Sequence, residues 1–93
     1  NLSAAASTLE LGAALGIDSA RLGEVVANGT ANSFALGRVV SAGGTLDRIA
    51  QHAGELLRKD VRHIAEIADT AGVSPGAALT AADATLEMME YPR

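Results

Sequence analysis

From Gly54 to Ala71 the chain carries apolar residues at helical spacing with no proline among them, and that run requires a long helix. Projected at about 100° per residue, Leu56, Leu57, Val61, Ile64, Ala65, Ile67, Ala68 and Ala71 fill one continuous arc. Glu55, Arg58, Lys59, Arg62, Glu66 and Asp69 occupy the opposite one. One residue breaks the pattern. Asp60 projects inside the apolar arc, where a carboxylate is costly unless it is hydrogen-bonded or paired. Lys59 and His63 fall where the arcs meet, and His52 joins them if the helix reaches that far back.

The flanking residues divide the rest of the chain into further helices. Residues 1 to 15 place Leu2, Ala5, Leu9 and Ala13 on one face, and Gly16 ends that helix. Asp18 caps a second helix reaching Asn28, with Leu22, Val25 and Val26 inward and Gly29 at the left-handed stop position. Ser33 caps a short third helix over Phe34 to Val40, halted by Gly43 and Gly44. Residues 45 to 53 fit either a helix or an ordered loop. Beyond Gly72, Ser74 as cap and Pro75 at the first helical position begin a last helix to about Met89, with Leu79, Ala82, Leu86 and Met89 inward. Tyr91, Pro92 and Arg93 read as a terminal tail.

Composition agrees with this reading. Twenty alanines and eleven leucines stand against one Tyr, one Phe and no Trp, and only ten residues are Val or Ile. That balance favours helices over strands, so the expected fold is all-α, a compact bundle of about five helices in one domain over 1–93. A chain of 93 residues buries only about 60–65% of its unfolded surface, which leaves it marginal alone. The net charge of −4 argues against a nucleic-acid partner, and no apolar run is long enough to span a membrane. Without cysteine there is no disulfide, thiolate nucleophile or zinc ribbon. His52 and His63 lack a third ligand nearby, so no metal site is expected.

No dinucleotide, phosphate-loop or hydrolase motif appears. Each singled-out side chain also has a structural reading. Asp60 can hold a backbone N–H or a neighbouring cation, Lys59 can snorkel beside Glu55, and Arg58 and Arg62 suit a solvated face. His52 and His63 suit ordinary boundary positions.

The stretch Leu56-Leu57-Arg58-Lys59-Asp60-Val61-Arg62-His63-Ile64-Ala65-Glu66-Ile67-Ala68, ending at Gly72-Val73-Ser74-Pro75, resembles the Lys-Asp helix of the 3-hydroxyisobutyrate dehydrogenase family. These β-hydroxyacid dehydrogenases are related to 6-phosphogluconate dehydrogenase. Glu10 to Asp18 and Gly29-Thr30-Ala31-Asn32-Ser33 resemble two further stretches of that family, in the same order.

The resemblance implies the C-terminal helical domain of a two-domain cytoplasmic enzyme, preceded by a Rossmann domain that binds most of the NAD or NADP. Its reaction is hydride transfer from a hydroxy acid to the nicotinamide, with a catalytic lysine upstream of Asn1 as general acid/base. Asn1 is similar to the second residue of the family's Asn-Asn pair and is the expected substrate contact. Lys59 is similar to the lysine that approaches the cofactor, and Asp60 to the aspartate that supports the active-site network. His52 stands where the family usually has a pocket phenylalanine, which implies preference for a more polar or anionic substrate. The expected partners are the chain's own Rossmann domain and a second subunit in a dimer or tetramer. On this reading the 93 residues alone are inactive.

Two other classes compete. Leu15-Gly16-Ile17-Asp18-Ser19 resembles the attachment motif of acyl and peptidyl carrier proteins, with Ser19 carrying the phosphopantetheine arm. Against it, Gly16 follows the first helix directly, without the long loop of a carrier, and the next helix carries only Glu24 as an acid. A non-catalytic helical interaction module is the third class.

Overall fold

The structure, a computed structural model, describes every residue from Asn1 to Arg93 and is all-α, with five helices. These are α1 (Leu2–Ala14), α2 (Ser19–Ala27), α3 (Phe34–Ser41), α4 (Asp47–Ala71) and α5 (Gly76–Met88). The chain divides into two units, Asn1–Arg48 and Ile49–Arg93.

In the first unit α1, α2 and α3 pack against one another. Two side-chain caps fix where the helices start. Asp18 Oδ2 accepts the Arg21 N–H at 3.1 Å, and Ser33 Oγ accepts the Leu36 N–H at 3.0 Å. Ala5, Ala6, Leu9, Leu36, Val39 and Leu46 are buried. Close approach of α2 to α3 depends on Gly23, where a Cβ would lie 2.7 Å from Val40 Cγ2. Gly43 and Gly44, both at φ +90°, turn the chain after α3.

Three expectations fail in this unit. Ala13 is exposed, because the buried face of α1 continues from Leu9 to Gly12. Val25 is 71% exposed, because α2 turns Gly23 inward and leaves Leu22 and Val26 only half-buried. Gly29 is not left-handed. Asn28 closes α2 instead, its Nδ2 donating to the Glu24 carbonyl at 2.8 Å.

The second unit is built on α4, which resolves residues 47 to 53 as helix and runs for 25 residues. Its buried positions are Ala50, Gly54 and Ala68, with Leu57, Val61 and Ala65 half-buried between them. That seam is narrower than the apolar arc of the sequence. Leu56, Ile64 and Ile67 lie outside it, between 55% and 62% exposed. Asp60 lies on this same exposed side, so the expectation of a carboxylate on a buried face is wrong. The arc is apolar across its width, but only one edge of it is covered.

Gly72, at φ +68°, ends α4, and its successor's N–H reaches back to the Ala68 carbonyl at 3.0 Å. Helix α5 begins at Gly76, one residue later than expected. Ser74 Oγ accepts the Gly76 N–H at 3.2 Å, and Pro75 precedes the helix instead of opening it. Leu86 and Met89 are buried and Leu79 and Ala82 half-buried, as their spacing requires.

The last three residues are more than a tail. Tyr91 lies on α4 at Gly54, where a Cβ would stand 2.6 Å from the ring, and Arg58 covers the ring with its guanidinium carbon 5.4 Å from the centroid. Arg93 forms a bidentate pair with Asp83 of α5, at 2.6 and 3.0 Å.

Candidate functional site

Helical geometry decides which side chains of α4 meet. His52, Lys59 and His63 stand at i, i+7 and i+11, which places them on one stripe about 16 Å long. Glu55, Arg62 and Glu66 repeat the same spacing three residues later and form a parallel stripe beside them. Both stripes line an open groove of about 650 Å³, with Gly54 and Tyr91 also in its lining. The groove lies within the second unit.

Four charged side chains are organised around it. Arg58 pairs with Glu55 in the same helix and carries its guanidinium onto Tyr91, which orients Glu55 along the groove. The Nε of Arg58 is buried without a hydrogen-bond partner, a consequence of laying the guanidinium on an aromatic face. Lys59 Nζ lies 3.4 Å from Asp60 Oδ1, with both side chains more than half exposed. A pair this open contributes little to stability and leaves the ammonium available.

The sequence-derived candidates therefore separate. His52 and Lys59 come together in the groove, and His63 joins them. Asp60 touches Lys59 but does not line the groove. Asn1 belongs to the first unit, where its carbonyl accepts the Ala5 N–H at 3.0 Å and its side chain makes no capping bond. Ser19 is the first residue of α2 and is half-buried, and a Cβ on Gly44 would stand 3.3 Å from its Oγ.

Tyr91, read from the sequence as part of a terminal tail, and Arg62, read as solvated face, both line the groove. Gly54 was the available signal for Tyr91. A glycine inside a long helix, on its buried side, marks a place where something large approaches the backbone. Arg62 carried no such signal, because a solvated arginine and a groove arginine read alike.

A smaller recess of about 250 Å³ surrounds the C-terminal clasp of Asp83, Glu87, Pro92 and Arg93. The hydrogen bonds from Arg93 hold the Asp83 carboxyl below its usual range, and the same bonds raise Arg93. No group of three or more His, Asp or Glu side chains is placed to hold a metal ion. No helix is long and apolar enough to cross a membrane.

No protein-family model, curated protein or solved structure matches the chain.

Proposed function

We propose that the chain is the C-terminal substrate and dimerisation domain of an NAD(P)-dependent β-hydroxyacid dehydrogenase, cytoplasmic and 3-hydroxyisobutyrate-like. The observation that carries the reading is Lys59, which opens into a groove beside His52 on the helix that bears the family-like Lys-Asp sequence. An exposed ammonium fits an anionic dinucleotide approaching from a separate Rossmann domain. The dinucleotide, when bound, accepts the hydride.

Within the proposal each residue has a bounded task. Lys59 contacts the cofactor, and Asp60 holds the lysine side chain from the flank at 3.4 Å. Because Asp60 is exposed, it acts as a positioning residue that steers Lys59 by charge, not as a buried member of a hydrogen-bonded network. His52 supplies a polar contact to the hydroxy acid. The exposed apolar side chains Leu56, Ile64 and Ile67 of α4 suit cover by the Rossmann domain or a second subunit.

The test uses the full-length natural protein that contains these residues. Lys59→Ala should raise the KM for the dinucleotide about tenfold, the worth of one charge-assisted contact. His52→Phe should change the ratio of kcat/KM between anionic and uncharged substrates. Unchanged dinucleotide kinetics in the lysine variant, together with an unchanged substrate profile in the histidine variant, contradicts the site assignment.

A further inference from the structure

The face of α4 that lies away from its buried seam is complementary to itself when reversed. Leu56, Asp60, His63 and Ile67 follow one another at spacings of four, three and four residues, so they form one row about 16 Å long. All four side chains are exposed, whereas the seam of Ala50, Gly54 and Ala68 runs along another side of the helix. The row is apolar at each end and polar in the middle. Turned end for end about a point between Val61 and Arg62, it sets Leu56 opposite Ile67 and Asp60 opposite His63. Lys59 and Glu66 flank the row on one side, both exposed and of opposite sign. They stand two turns apart, too far to pair within one helix, but the same reversal brings Lys59 of one copy beside Glu66 of the other. Neither His63 nor Glu66 takes part in an ion pair within the chain. Ile64, 55% exposed, borders the row on its other side.

We propose that this face binds a second copy of the chain, α4 against α4, antiparallel about a two-fold axis. Apolar contacts between Leu56 and Ile67 close both ends, Asp60 and His63 pair on either side of the axis, and Lys59 and Glu66 pair at the rim. An imidazole N–H can donate to the Asp60 carboxylate whether or not the ring is charged, and Lys59 occupies only Oδ1 of that carboxylate. Other alignments match poorly. A parallel pair sets Asp60 against Asp60 and Lys59 against Lys59, which repel. A shift of seven residues one way carries the partner of Leu56 past the end of α4, and the other way it sets Asp60 against Leu56. Leu56 and His63 also line the groove, so the second copy borders it. The inference rests on the dimerisation part of the proposed function and uses none of its redox chemistry.

Sedimentation equilibrium of the 93-residue chain should show an average mass near 9.4 kDa at about 10 μM that rises towards twice that value at about 1 mM. Asp60→Lys sets a cation against His63, and His63→Glu sets a carboxylate against Asp60, so each variant should self-associate about tenfold more weakly. Mixed in equal amounts, the two should recover the parental affinity, because one central layer then joins Lys to Glu and the other His to Asp. Both positions are exposed, so the helical circular dichroism should not change. The chain has no cysteine, which lets two further single variants read the orientation. Leu56→Cys mixed with Ile67→Cys in a glutathione redox buffer should give chiefly the mixed disulfide, since in the antiparallel pair like positions lie about 16 Å apart. A chain that stays monomeric at about 1 mM, association unchanged in both charge variants, no recovery in their mixture, or homodisulfides in preference to the mixed one would each overturn the proposal. None of these outcomes touches hydride transfer, which dinucleotide kinetics of the full-length protein read separately.

Discussion

At Gly54 the absence of a side chain lets an aromatic ring lie on a helix backbone. A Cβ at that position would stand 2.6 Å from Tyr91 Cδ2 and Cε2, so Gly54→Ala must displace the ring and the guanidinium above it. The substitution should cost about 1–3 kcal/mol in urea unfolding, even though alanine is the better helix former. In a Tyr91→Ala background the same change should become neutral or stabilising, and a cost that persists there would mean the ring is not the cause. A second residue-scale outcome concerns pH. The carboxyl of Asp83 is held below its usual range by hydrogen bonds from Arg93, so the clasp contributes stability above the ordinary carboxylate range and loses it as pH falls through the depressed value. Both side chains are partly exposed, which keeps the contribution small. Comparing Asp83→Asn with the parent chain should show a stability difference near neutral pH that closes on acidification. A difference that stays constant into the acid range would rule out the clasp as its source.

At the scale of elements, the two edges of α4 predict opposite responses to charge. Ile67→Lys adds a cation to a position that is already 62% exposed and should change stability by no more than about 0.5 kcal/mol. Ala68→Lys, one residue on, forces an ammonium into a position only 8% exposed and should cost several-fold more. Equal effects at the two positions would show that the seam is drawn wrongly. This contrast marks how far the sequence was legible. Helix ends were readable where a cap or a left-handed glycine sits in the local sequence, as at Asp18, Ser33, Gly44 and Gly72. Positions decided by tertiary packing were not. Periodicity identifies an apolar arc but not which edge of it is covered, and for that reason Asp60 and Val25 were placed on the wrong side. Residues 45 to 53 were ambiguous because Gly54 and the glycines before Thr45 weaken local helix propensity, whereas burial of Leu46 and Ala50 favours the helix. Tyr91 and Arg93 were unreadable because their partners lie 37 and 10 residues away, beyond any local pattern.

For the molecule as a whole, the distribution of apolar surface bears most directly on function. Leu11, Leu15, Val25 and Phe34 in the first unit, and Leu56, Ile64, Ile67 and Val73 in the second, are all more than half exposed. A chain with a single phenylalanine leaves it 87% exposed, which is costly for a monomer and ordinary for a surface that meets another domain or subunit. The proposed role, one domain of a larger dehydrogenase, accounts for that surface together with a groove lined by Lys59 and His52. Its central claim is hydride transfer. The most direct measurement incubates the full-length natural protein with a 3-hydroxy acid deuterated at the carbinol carbon and with NAD or NADP, then weighs the nicotinamide product. The account predicts reduced dinucleotide carrying one deuterium, formed more slowly when Lys59 is replaced by alanine. Dinucleotide left unreduced by every 3-hydroxy acid offered, or reduced without the label, would contradict it.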